Sequence, residues 1–323
     1  MSKKLKILVT GGAGFIGSHA VEKLLTLNYQ VIIIDNFDDF YSPAIKHKNL
    51  ENIIDHPNLQ LIAHDVRDIH NIKALENINI HSIIHLAAIP GVRKSGIDPK
   101  QFININIESN NAVIAFAQSQ NINKIIFASS SSVYGDHPSQ PWHEELDNLH
   151  PLSPYARYKL ECEHTGETFA STANNQFISL RFFSVYGPRM RPDLAMYRFA
   201  EKIANDQPIE VYGNGSSYRD YTYIDDIIAG IIASIHYDKH GFDIFNLAHG
   251  ENIPLINMIS ALEKSLDKKA RCKFLPKFEE ESAGTWADIQ KAKNTLSYHP
   301  KTDFASGIKA FCRWYKQTHL SNV

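Results

Sequence analysis

The chain has 323 residues, 43% of them apolar, with 33 Lys and Arg against 35 Asp and Glu for a net charge near −2. That length buries one large core or two moderate ones, and the even balance, with no basic tract, argues against an electrostatic grip on nucleic acid or a membrane surface. The longest apolar stretches are strand-length, too short for a bilayer, and Met1-Ser2-Lys3-Lys4 runs straight into a strand, leaving no room for a signal peptide's apolar core.

Residues 5–10 read as a buried strand, with Leu5, Ile7, Leu8 and Val9 closely spaced. Gly11-Gly12-Ala13-Gly14-Phe15-Ile16-Gly17 follows, then a helical run through Ser18, Ala20, Val21, Leu24 and Leu25. A second apolar run, Val31-Ile32-Ile33-Ile34, ends at Asp35. Strand, glycine-rich turn, helix, strand and acid form the context of a dinucleotide-binding unit. Gly11 permits the tight turn, Gly14 lets backbone approach a pyrophosphate, and Gly17 lets helix and strand pack closely. The helix N-terminus then offers N–H groups and a favourable dipole to phosphates. Asp35 stands where a carboxylate accepts hydrogen bonds from ribose hydroxyls and repels a 2′-phosphate, so the cofactor expected is NAD rather than NADP.

Further strand-like runs fall at 59–63, 83–87, 124–128 and 177–182, separated by helical or mixed segments such as 101–120. This alternation predicts an α/β fold, a doubly wound Rossmann-type parallel sheet covered on both faces. Beyond Tyr186-Gly187-Pro188 the pattern loosens into helical segments near 195–205, 225–236, 255–266 and 304–316, a smaller mixed α/β C-terminal substrate lobe. The expected division is an NAD-binding domain over 1–183, with a returning segment near 221–249, and a second lobe from 184–220 and 250–323. Among the sixteen histidines, His81-Ser82-Ile83-Ile84-His85 has the spacing of a zinc-protease helix. Ser82 replaces the needed glutamate and the isoleucines make a strand, so no metal is expected. Cys162, Cys272 and Cys312 are few and widely spaced, reading as reduced thiols of a cytoplasmic protein.

Two stretches carry the chemistry. The strand Ile125-Ile126-Phe127 ends in Ala128-Ser129-Ser130-Ser131-Ser132-Val133-Tyr134-Gly135, placing hydroxyls at the carboxyl end of a strand, where doubly wound sheets bind ligands. Pro154-Tyr155-Ala156-Arg157-Tyr158-Lys159 sets a phenol and an ammonium four residues apart, on one face of a helix. A neighbouring cation favours the phenolate and makes tyrosine usable as a general base.

These stretches together resemble the extended short-chain dehydrogenase/reductase superfamily and, within it, the NAD-dependent nucleotide-sugar epimerases. The resemblance runs from Ile7 to Trp314. It is narrowed by His85-Leu86-Ala87-Ala88, Pro90-Gly91-Val92-Arg93, Arg181-Phe182-Phe183-Ser184-Val185-Tyr186-Gly187-Pro188 and Tyr218-Arg219-Asp220-Tyr221-Thr222-Tyr223-Ile224-Asp225-Asp226. Asn36-Phe37-Asp38-Asp39-Phe40-Tyr41 and Arg189-Met190-Arg191-Pro192-Asp193-Leu194-Ala195 are similar to what UDP-glucuronate 4-epimerases carry there. The resemblance implies that Gly11, Gly14, Phe15, Ile16, Gly17, Asp35 and Asn36 hold the dinucleotide, with Asp65 and Val66 at adenine. Leu86, Ala87, Ala88 and Asn106 would line the cofactor cleft, and Phe182 would lie against the nicotinamide. Lys159 would hold the ribose as well as tune Tyr155, and Ser130 takes the catalytic hydroxyl position. Ser131, Ser132, Ser184 and Tyr212 are implied on the sugar-nucleotide side. Arg219 would pair with the diphosphate, its fork matching phosphate oxygens.

The expected reaction is C4 epimerisation of a UDP-sugar: Tyr155 takes the proton of the 4-hydroxyl as C4 hydride passes to NAD⁺, and a 4-keto sugar turns and receives the hydride on its other face. Dehydratases and decarboxylases of the superfamily carry an acid in the serine run, where this chain has Ser131 and Ser132, and serine cannot shuttle a proton at neutral pH. Arg93, Arg191, Ser132 and Ser184 are a donor set for a glucuronate carboxylate, so UDP-glucuronate to UDP-galacturonate leads, for polysaccharide biosynthesis. UDP-glucose, UDP-N-acetylglucosamine, a net oxidoreductase and an NAD-sensing scaffold stand behind it. One segment departs from the family: Lys277-Phe278-Glu279-Glu280-Glu281-Ser282-Ala283-Gly284 replaces a Pro-Gly-Asp or Glu-Gly-Asp turn, putting three acids where phosphates should pass. A homodimer, paired through the helices near 106–120 and 155–170, is implied by resemblance.

Overall fold

A computed structural model describes residues 4–91, 96, 98–172, 174–276 and 284–320. Its early strands are β1 (Lys6–Thr10), β2 (Gln30–Asp35), β3 (Leu59–Ala63), β4 (Ser82–His85), β5 (Lys124–Ser130) and β6 (Gln176–Phe182). Then come β7 (Ser184–Tyr186), β8 (Pro208–Tyr212), β9 (Tyr218–Arg219), β10 (Tyr221–Tyr223), β11 (Gly241–Leu247), β12 (Ile253–Pro254) and β13 (Arg271–Leu275). The main sheet has seven strands in the order β11-β6-β5-β4-β1-β2-β3, every neighbouring pair parallel. Three two-stranded sheets complete the set: β7 with β10 and β8 with β13, both parallel, and β9 with β12, antiparallel.

The helices are α1 (Phe15–Thr26), α2 (Pro43–Leu50), α3 (Pro99–Ser119), α4 (Pro154–Ala170), α5 (Ala195–Ala204), α6 (Ile224–His236), α7 (Leu255–Leu266), α8 (Gln290–Leu296) and α9 (Phe304–His319). Both faces of the sheet are covered, so its strands read as continuous apolar runs. Alternate residues of β1 serve opposite layers. Ile7 and Val9 join Ala20 and Leu24 of α1 and Ile227 and Ile231 of α6, while Leu8 joins Val113 and Phe116 of α3 and Tyr158 and Phe169 of α4. The first layer continues without a break through Tyr197, Met258, Leu262, Ile308 and Phe311.

The start of α4 follows from its sequence. Ser153 accepts a hydrogen bond from the Ala156 amide at 3.1 Å, and Pro154 occupies the first turn, where its missing N–H costs nothing. Two strand ends differ from the sequence reading. β4 stops at His85, whose Nδ1 lies 2.7 Å from the Thr10 hydroxyl, and residues 86–88 leave the sheet. β5 runs on to Ser130 because Ser129 and Ser130 stay in register with Arg181 and Phe182 of β6.

Candidate active site

The carboxyl ends of β1, β4, β5 and β6 open on a cavity of about 930 Å³. Its floor is the turn after β1. Gly11 sits at φ +71°, and a Cβ there would fall 2.7 Å from the Ala87 amide nitrogen; a Cβ on Gly17 would lie 2.1 Å from the Gly11 carbonyl. Any side chain would therefore push the turn off β4 or off its own helix. Helix α1 begins at Gly14 with no side-chain cap, so the first-turn amides are left for a ligand. Asp35 is buried, its oxygens accepting from the Ala13 amide at 3.0 Å and the Phe37 amide at 2.9 Å. A carboxylate has lone pairs beyond those two. An uncapped helix start, a cradle that any Cβ would fill and a fixed acid at the end of β2 suit a dinucleotide.

Gly11, Gly14, Phe15, Ile16, Gly17, Asp35, Asn36, Asp65, Val66, Leu86, Ala87 and Ala88 all line this end of the cavity. Arg67, which sequence reasoning missed, clamps Asp65 through Nε at 3.1 Å and a terminal nitrogen at 2.8 Å. Those bonds hold the Asp65 carboxyl below the usual carboxylate range. Asn106 is placed differently from the expectation. It does not line the cavity but braces it from behind: its amide accepts from the Ile89 N–H at 2.8 Å and donates to the Phe102 carbonyl at 2.7 Å. It thereby ties α3 to the strip that follows β4.

Ser130, Ser131, Ser132, Tyr155, Lys159 and Phe182 meet at the centre. The Ser130 hydroxyl accepts from the Ser132 hydroxyl at 2.9 Å and hydrogen-bonds the Tyr155 phenol. Lys159 is 4% exposed, donates to the Ala128 carbonyl at 2.5 Å and lies 4.7 Å from the Phe127 ring centre. Burial pushes its ammonium down to about 8. The sequence argument had Lys159 lowering the Tyr155 pKa. The phenol is instead raised, because burial outweighs the opposing effects of the Ser130 hydrogen bond and the Arg191 charge. A buried cation below its own normal range is a weak partner for a buried acid.

Ser184, Arg191, Tyr212 and Arg219 reach the cavity from the other side. Arg191 is clamped by Asp193, with Nε to Oδ1 at 2.9 Å and a terminal nitrogen to Oδ2 at 3.0 Å, and its guanidinium lies 6.0 Å from the Phe40 ring centre. Arg219 donates to the Tyr218 carbonyl at 2.8 Å. The loop holding Arg191 is fixed by Arg189, which bonds Glu22 at 2.5 Å and His19 at 3.0 Å on α1. Arg93 and the acid-rich 277–283 segment lie outside the described residues. Behind the serines, Glu163 and Arg181 form a buried pair at 2.7 Å that sequence reasoning also missed. No group of three metal-ligating side chains and no membrane-length apolar helix occurs among the described residues.

A doubly wound sheet whose dinucleotide cradle faces a tyrosine, a lysine and a serine marks an NAD-dependent enzyme of the extended short-chain dehydrogenase/reductase superfamily. The chain belongs to the NAD-dependent epimerase/dehydratase family, whose model matches residues 7–248. A UDP-glucuronate 4-epimerase of Thermodesulfobacterium geofontis is 36% identical over 96% of both chains. A crystal structure of the UDP-glucuronic acid 4-epimerase of Bacillus cereus, in complex with UDP-glucuronic acid and NAD, superposes with a TM-score of 0.91 at 37% identity, covering 98% of this chain and all of that one. A UDP-N-acetylglucosamine 4-epimerase from Methanobrevibacter ruminantium superposes at 0.88 with 30% identity, covering 98% and 99%.

Proposed function

We propose that this protein is an NAD-dependent UDP-sugar 4-epimerase that interconverts UDP-glucuronate and UDP-galacturonate. The observation that carries the reading is that Tyr155, bonded to Ser130, opens on the same cavity as both the glycine cradle and the clamped Arg191. Bound NAD⁺ supplies the hydride acceptor and a fixed positive charge. Tyr155 takes the proton of the sugar 4-hydroxyl and later returns it, with Ser130 holding the same oxygen and Lys159 holding the ribose end. Ser131, Ser132 and Ser184 orient the sugar without offering it a second base. Arg191 and Ser184 give a glucuronate carboxylate its donors, and Arg219 and Tyr212 face the nucleotide diphosphate.

The sugar-holding role falls to the lobe of residues 184–220 and 250–323. All three cysteines are free thiols, which suits the cytoplasm. Packing of α3 on α4 supplies the helix pair through which a homodimer would form; a monomer by light scattering would sink that part.

The test is incubation of purified protein with UDP-glucuronate, UDP-glucose and UDP-N-acetylglucosamine separately, followed by chromatographic resolution of the sugar stereoisomers. Inversion of UDP-glucuronate with bound NAD unchanged is expected. Inversion of a neutral sugar alone would move the assignment to that substrate. No C4 inversion of any of the three would overturn the reaction, and net cofactor reduction would replace it with an oxidoreductase.

A further inference from the structure

Between β2 and α2 lies a second set of polar groups facing the dinucleotide cradle. The Tyr41 hydroxyl is shielded from solvent and has no hydrogen-bond partner among the described residues, which is costly for a buried polar group. It lies 4.0 Å from the position a Cβ would take on Gly14, the residue that caps the start of α1. Lys46, from α2, is 7% exposed and lines the same cavity. Its ammonium spends one N–H on the Asp38 carbonyl at 2.7 Å and lies 5.1 Å from the Tyr41 ring centre. A lysine is rarely buried this far, and the carboxylates of Asp35, Asp38 and Asp39 bear on its charge.

We propose that Tyr41 and Lys46 form a clasp that closes over the pyrophosphate of the bound dinucleotide opposite the glycine turn, Tyr41 donating a hydrogen bond and Lys46 a charge. Burial holds the Tyr41 phenol protonated, and so a donor, well above neutral pH. Burial lowers the Lys46 pKa from its ordinary value, and the charges of Asp35, Asp38 and Asp39 act against that shift. The glycine turn supplies amides from one side, and Tyr41 and Lys46 line the same cavity beside it. An epimerase that must retain its cofactor through both half-reactions gains from such a second contact. A nucleotide sugar also carries a diphosphate, but the closeness of Tyr41 to Gly14 puts the clasp on the dinucleotide side.

The inference rests on the NAD reading of the cavity and is separable from it. Wild type, Tyr41→Phe and Lys46→Met are stripped of cofactor, and each is titrated with ADP, adenosine and UDP by calorimetry. NAD content per chain after gel filtration is measured in parallel. Wild type is expected to bind ADP more tightly than adenosine. Each variant should lose roughly tenfold or more in ADP affinity, the size of one charge-assisted contact, with adenosine and UDP affinities unchanged and less NAD retained. Variants within twofold of wild type for ADP would overturn the clasp, as would an equal loss for adenosine, or a loss confined to UDP. Should Lys46→Met fail to fold, Tyr41→Phe decides alone, since it keeps the ring and its packing. Failure of wild type to bind ADP or NAD would instead strike the cofactor reading itself.

Discussion

Replacing Glu163 with Leu tests how the serine run at the end of β5 is held. Glu163 and Arg181 are each 2% exposed. One Glu163 oxygen accepts from the Ser129 hydroxyl at 2.6 Å, the Ser179 hydroxyl at 2.8 Å and Arg181 Nε at 3.0 Å, and the other from an Arg181 terminal nitrogen at 2.7 Å. The guanidinium also stacks 4.7 Å from the Tyr134 ring centre. Removing the carboxylate leaves a charge with almost no water, a loss of about 3–5 kcal/mol for a broken buried pair. Two hydroxyls losing their acceptor add roughly 1 kcal/mol each. At about 2–4 °C per kcal/mol for chains somewhat shorter than this one, the melting point should fall by on the order of 10 °C. Arg181→Met should cost a similar amount, and the double variant much less than the sum, because it removes both charges at once. Turnover of the folded Glu163→Leu protein should fall too, since Ser129 directly precedes Ser130. Thermal unfolding of NAD-saturated protein, with initial rates at a temperature where all variants are folded, reads both effects. Strictly additive single costs, or a shift under about 2 °C, would refute the pairing argument.

Tyr155→Phe should lower turnover by roughly 10²–10⁴-fold, the range for a lost general base, while the protein still copurifies with NAD; near-normal turnover would dismiss the assigned base. Arg191→Met should raise KM for UDP-glucuronate by about tenfold or more and leave a neutral UDP-sugar little changed; equal losses on both would show a role unrelated to the carboxylate. Lys159 gives a pH test. Its folded pKa of about 8 lies below the ordinary 10.5, so between those values the unfolded chain carries a proton that the native chain lacks. Stability from this group therefore rises with pH across that window. Any affinity that needs the ammonium falls there instead. NAD affinity of the stripped protein should thus decline above about pH 8, towards tenfold per unit, and Lys159→Met should flatten the slope; a slope that survives the substitution would assign the titration elsewhere.

What the sequence disclosed and what it hid divide along chain distance. The glycine turn and the Tyr155–Lys159 pair are set by spacings of three and four residues, so local geometry makes them legible. The Glu163–Arg181 pair spans a helix and a strand, and the Arg189 tie to α1 joins residues 167 and 170 positions apart. Only the folded sheet brings such groups together. Tyr41 entered only as the end of the stretch 36–41, and Lys46 was not singled out, because sequence does not show that both line the cofactor cavity. Asn106 was given a cleft-lining role by analogy, whereas its amide is consumed by the backbone at Ile89 and Phe102. The direction of the Tyr155 shift was missed because sequence shows the neighbouring cation but not the burial that outweighs it.

The order of the strands also bears on how the molecule is made. β6 is buried along its whole length, and its outer hydrogen-bonding edge is covered by β11, which begins at Gly241. While the polypeptide leaves the ribosome, some sixty residues must emerge after Phe182 before that cover arrives. Until then Phe177, Ile178 and Leu180 sit on a strand with an unpaired rim, a template for joining another nascent copy. Truncations ending before 241 should accordingly be recovered as aggregates rather than as smaller folded domains.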